Sequence, residues 1–90
     1  MVVKKRLLFF TGKECPHCHD MDPLNDKLEK ELKIKLTKLE VWHDSKNAAL
    51  LKSLDKGFCG GVPFYFNENT SKWICGAVPY AKLKAWAEGK

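Results

Sequence analysis

The sequence predicts an α/β fold: a four-stranded mixed sheet with helices on both faces, in the order β-α-β-α-β-β-α, within one domain spanning residues 1–90. Two observations predict it. Short apolar segments rich in strand formers are separated first by stretches with helical spacing and then, near the C-terminus, by a turn alone. A chain of 90 residues also has room for one core and no second.

The elements run in order. Val2 to Phe10 is apolar around a basic insert and reads as a strand. Thr11 to Glu14 is a loop. Pro16 suits the first turn of a helix, where its missing N–H costs nothing. Met21, Leu24, Leu28 and Leu32 then recur at helical spacing, and Pro23 inside this stretch predicts a kink or a late start to the regular helix. Leu36 to Trp42, with Leu39 and Val41 alternating against Lys38 and Glu40, is the second strand. Asp44 or Ser45 caps a helix that turns Ala48, Leu51 and Leu54 inward, and Gly57 is its expected C′ residue. Val62 to Phe66 and Ser71 to Cys75, joined by a turn at Asn67-Glu68-Asn69-Thr70, form a hairpin. Pro79 opens a last helix with Tyr80, Leu83, Trp86 and Ala87 on its apolar side. The helical crossover makes the first two strands parallel, whereas the hairpin is antiparallel. Trp42, Trp73, Trp86, Phe9, Phe10, Phe64 and Phe66 are expected in the core, with Tyr65 on the opposite face of its strand from Phe64 and Phe66.

Composition narrows the function classes. Hydrophobic residues make up 44% and charged residues 30%, as in ordinary globular proteins. The net charge of +5 comes from 16 Lys and Arg against 11 Asp and Glu, spread from Lys4 to Lys90. No basic stripe with interleaved aromatics is present, so nucleic acid is not an expected partner. The apolar run after Lys4-Lys5-Arg6 covers only Leu7 to Phe10 and ends at Gly12-Lys13-Glu14 without a small-residue cleavage site. A cytoplasmic protein without a membrane partner is therefore expected. In a reducing compartment, cysteine spacing points to catalysis or metal rather than to a disulfide scaffold.

Cys15-Pro16-His17-Cys18 carries the chemistry, because it follows a predicted strand and opens a predicted helix. Thiolate is the nucleophile, and the unpaired N–H groups at a helix N-terminus favour the anion. Cys15 is expected before the first turn and open to solvent, as the nucleophile. Cys18, one turn on, resolves the mixed disulfide. The His17 imidazole would add donor capacity and partial positive charge beside Cys15, favouring thiolate; the alternative is a plain exposed residue. His19 and Asp20 are read as surface residues.

Cys15-Pro16-His17-Cys18, with Gly61-Val62-Pro63 before a strand–turn–strand and with Gly76, resembles the thioredoxin superfamily over nearly the whole chain. The length is closer to glutaredoxins than to full thioredoxins, and Pro16-His17 is similar to the dipeptide of periplasmic disulfide-introducing oxidases. The resemblance implies a minimal thioredoxin fold and a thiol–disulfide oxidoreductase. It implies a cis Pro63 packed against the CxxC, Val62 pairing its backbone with an extended substrate, and Gly76 leaving room for that substrate. Site residues are thus Cys15, Cys18, His17 and Pro16 for catalysis, and Val62, Pro63 and Gly76 for substrate. Two departures stand out. Phe9 occupies the place of the buried acid of thioredoxins, so water or another group must handle the Cys18 proton. Gly76-Ala77-Val78-Pro79 lacks the acidic residue with which glutaredoxins hold glutathione; Lys13 or Lys82 are candidate carboxylate contacts. Expected partners are protein disulfides and a thiol reductant, either a reductase or glutathione. No cofactor is expected, and a monomer suffices.

Cys59 and Cys75 admit three readings: buried small hydrophobes, a second disulfide or relay, or a zinc or iron–sulfur site with Cys15, Cys18, Cys59 and one of His17 or His19. The hairpin register puts Cys75 roughly opposite Pro63, with all four cysteines on one side of the domain. The rivals to an enzyme are a metal-binding module and a non-catalytic adaptor.

Overall fold

Three apolar residues in a row, Leu8, Phe9 and Phe10, are each almost fully buried, which only a central strand with both faces covered can achieve. In the computed structural model, which describes residues 6–57 and 59–89, they form the middle of β1 (Leu7–Thr11). The chain continues through α1 (Pro16–Leu32), β2 (Leu36–Glu40), α2 (Ser45–Asp55), β3 (Phe64–Asn67), β4 (Lys72–Cys75) and α3 (Tyr80–Ala87). The strands lie in the order β2-β1-β3-β4. β1 pairs with β2 in parallel and with β3 in antiparallel fashion, and β3 with β4 antiparallel. The mixed four-stranded sheet with three helices agrees with the order read from the sequence.

Alternation along β1 divides the core. Phe9 joins Tyr65, Met21 and Leu28 of α1, and Leu83 and Trp86 of α3 on one face. Leu8 and Phe10 join Phe64, Val41 and Leu51 of α2 on the other. Tyr65 accordingly faces away from Phe64 and Phe66.

Several boundaries move. Val2 to Lys5 lie outside the described residues, and Thr11 belongs to the strand rather than the loop. β2 stops at Glu40, before Val41 and Trp42, and β3 starts at Phe64, after Val62 and Pro63. α1 starts at Pro16 and runs on through Pro23 with no late start. Pro23 removes one backbone donor from a helix whose apolar stripe is anchored against the sheet on both sides of it. The Asp44 side chain caps α2 by accepting N–H groups from Lys46 and Asn47. At the other end Lys56 takes the left-handed conformation, and Gly57 follows with φ +85. Trp86 is buried, but Trp42 is 51% and Trp73 42% exposed, contrary to their expected place in the core. Trp42 lies beyond the end of β2, and Trp73 on the edge strand β4.

Candidate thiol–disulfide site

The site forms where β1 ends and α1 begins. Cys15 is the N-cap of α1, and its Sγ accepts the Cys18 N–H at 3.2 Å. A sulfur thus takes the place usually filled by a Ser or Asp oxygen, in the field of the unpaired helix donors. The turn before it is closed by the Cys15 N–H donating to Gly12 O at 3.0 Å. Cys15 Sγ also lies 3.9 Å from the carbonyl oxygen of Val62, within reach of a weak S–H donation. The Val62–Pro63 bond is cis, the isomer that the resemblance implies. Gly76, at φ +87, donates its N–H to Pro63 O at 2.8 Å. Cys15, Cys18, Val62, Pro63 and Gly76, scattered over 62 positions from 15 to 76, thus meet through contacts along one rim of the sheet.

Both thiols are more enclosed than the sequence suggests. Cys15 is only 4% exposed, not open to solvent, because α1 seats it against the core that contains Phe9, Tyr65 and Met21. Cys18 is fully buried. Burial, reinforced by a hydrogen bond with Cys15, pushes the Cys18 thiol up to about 11. The Thr11 hydroxyl and the Gly12 N–H act on the Cys18 sulfur in the opposite sense, as donors to a thiolate, but are outweighed. Thr11, expected in the loop, is therefore a polar group acting on the Cys18 sulfur. His17 points outward: its side chain is 75% exposed and its Nδ1 lies 3.8 Å from Asp20 Oδ2.

The loop from Gly12 to Glu14 is braced by residues that sequence reasoning passed over. The Glu40 carboxylate accepts N–H groups from Lys13, Trp42 and His43 at 2.9, 3.2 and 2.7 Å. His43 Nε2 bonds the Glu14 carboxylate at 2.7 Å, which raises the imidazole above its ordinary value. His19 is more than a surface residue. Its Nε2 lies 2.6 Å from Lys13 O and its Nδ1 3.2 Å from Asp22 Oδ2. Only the imidazolium donates at both nitrogens, so the Lys13 carbonyl first, and Asp22 second, raise His19. Trp42 covers Gly12 so closely that a Cβ there would overlap the indole ring. The Glu40–Lys13, His43–Glu14 and Trp42–Gly12 contacts have no sequence signal, since each joins segments separated by α1, whereas His19 lies one helical turn from Asp22 and six residues from Lys13.

Beneath the site, the Tyr65 hydroxyl donates to Asn25 Oδ1 at 2.5 Å, both fully buried. Phe9 stacks on Tyr65 at 4.7 Å, and the Tyr65–Asn25 pair puts polar groups into the core beneath the site.

Cys59 and Cys75 form a disulfide. Cys75 faces Phe64 rather than Pro63, one residue from the expected register, and is exposed rather than a buried hydrophobe. Cys59 packs with the Phe10 and Phe64 cluster, across the sheet from the cluster that holds Cys15 and Cys18, so the four cysteines do not share one side. The disulfide withdraws Cys59 from a four-ligand metal site with Cys15 and Cys18. Among the described residues no three His, Cys, Asp or Glu side chains converge to hold a metal ion. Nor is any described helix long and apolar enough to cross a membrane.

Compared with known proteins, no family model and no curated protein matches this chain. The site is read from its own geometry.

Proposed function

We propose that this chain has a minimal thioredoxin fold and works as a thiol–disulfide oxidoreductase, with Cys15 as nucleophile and Cys18 as resolving thiol. One observation carries the proposal. A cysteine sulfur caps α1, accepts the N–H of a second cysteine, and sits beside the carbonyl of Val62 just before a cis-proline. The helix-end donors favour an anion at that sulfur, and the Val62 backbone offers strand-type pairing to an extended substrate.

In the forward direction the Cys15 thiolate attacks one sulfur of a substrate disulfide, and the other substrate sulfur leaves as a thiolate. Cys18 gives up its proton and attacks Cys15 Sγ, releasing the second substrate thiolate. Two electrons pass from the Cys15–Cys18 dithiol to the substrate, and a thiol reductant, reductase or glutathione, restores the dithiol. The buried, proton-holding Cys18 favours a long-lived mixed disulfide until that proton is lost. Protein disulfides are the proposed substrates, a monomer in the cytoplasm the proposed setting.

Insulin reduction with a dithiol as electron source tests this. Wild-type protein accelerates insulin precipitation, Cys15→Ser abolishes the acceleration, and Cys18→Ser traps a mixed disulfide at Cys15 that mass spectrometry detects. Turnover that survives Cys15→Ser ends the proposal.

A further inference from the structure

The exchange chemistry makes no use of Cys59 and Cys75, yet their bond holds the segment that carries Val62. After α2 ends at Asp55, the chain reaches Pro63 through Gly57, Gly60 and Gly61. A Cβ added at any of these three would meet nothing within 4 Å. A cavity of about 300 Å³ lies between them and Ala48, Leu51 and Lys52 of α2. The three glycines therefore give this stretch no packing of their own, while Cys59 and Val62 pack against the core. Polar and covalent restraints add to this. The buried Asp55 carboxylate accepts the Cys59 N–H at 2.6 Å and the Gly60 N–H at 2.7 Å. The disulfide ties the same Cys59 to Cys75, exposed on the edge strand β4.

We propose that Cys59–Cys75 is a second redox site, a clamp that sets how firmly residues 59–62 present the Val62 backbone to Cys15. Its effect on substrate rests on the exchange reading of Cys15; the clamp itself does not. The reactant class is a dithiol in solution. One of its thiolates attacks Sγ of Cys75, the more exposed residue of the pair, and Cys59 leaves as a thiolate and takes a proton. The second thiolate of the reductant then displaces Cys75, so the protein gains two thiols and the reductant becomes a disulfide. In a reducing compartment an exposed bridge of this kind is transient, and so reports redox state. Among the described residues, reduction leaves Asp55, the Cys15 Sγ–Val62 O contact and the Pro63–Gly76 hydrogen bond as polar ties on the segment, with open cavity beside it.

The test uses the full chain, reduced stepwise by dithiothreitol, with alkylation and mass spectrometry following each cysteine pair. Hydrogen exchange at the Cys59 and Gly60 amides, read by NMR, is expected to rise by roughly tenfold or more when Cys59–Cys75 opens, with the Leu28 amide in α1 unchanged. Cys59→Ser combined with Cys75→Ser is expected to reproduce the reduced state. Unchanged exchange at Cys59 and Gly60 overturns the clamp. So does collapse of the whole helical signal on reduction, which marks a global staple, or a bridge that opens only in denaturant. A protein without any insulin turnover would defeat the exchange reading, while the two amides would still decide the clamp.

Discussion

Cys18 shows how position along a helix turn sorts two like residues. Cys15 caps α1 and meets its free donors, whereas Cys18, three residues on, is sealed in the core and pushed up from 9.0 to about 11. The folded state then binds the Cys18 proton more tightly than the unfolded chain does. The resulting stability is fully present below pH 9 and is lost as pH rises from there through about 11. Alkylation of Cys18 in the folded protein is expected to rise with a midpoint near pH 11. Thr11→Val removes a donor to the thiolate and is expected to move that midpoint higher, read by iodoacetamide labelling and mass spectrometry. A midpoint unmoved by Thr11→Val would mean that the hydroxyl does not act on this sulfur.

At the scale of elements, the turn between β1 and α1 is positioned by the end of β2 and the residues just beyond it. Glu40 gathers three backbone N–H groups, and His43 reaches across to Glu14. The raised His43 stabilises the folded loop fully below pH 6.5 and loses that effect as pH rises through its folded value. An NMR titration is expected to place His43 above 6.5 and, in Glu14→Gln, to return it toward the ordinary value, since the Glu14 hydrogen bond is the largest cause. The loop amides of Lys13 and Glu14 should exchange faster in that variant below pH 6.5, with the difference fading as pH rises through the folded value.

For the whole molecule, one sheet buries a cluster on each face, and the helix leucines that cover the two faces differ in depth. Leu28, fully enclosed between α1 and the sheet, shares its cluster with Phe9, Tyr65, Leu83 and Trp86. Leu51 on the opposite face is 8% exposed. Leu28→Ala is expected to cost about 2–5 kcal/mol in denaturant unfolding, and Leu51→Ala less, because its site can collapse and rehydrate. Equal losses would contradict the division of the core. The Cys59–Cys75 bridge spans a sequence separation of 16 and restrains the unfolded chain as well as the folded one.

Local spacing determined the order of elements, because the helical and strand periods of Met21-Leu24-Leu28 and Leu36-Leu39 are properties of neighbouring residues. It also determined that Cys15 precedes a helix, with Pro16 as its first residue, and that the last two strands form a hairpin. The ends of strands were less legible: Val41, Trp42 and Val62 have strand composition, but the paired registers end at Glu40 and begin at Phe64. The tertiary structure alone decided which cysteines pair, since Cys59 meets Cys75 only once α2 and the hairpin are placed on the sheet. It likewise set the enclosure of Cys15, the exposure of Trp42 and Trp73, and the brace of Glu40 and His43 around the loop. Each of these depends on segments distant in sequence, and their meeting is fixed by sheet order and register, which spacing along the chain does not encode.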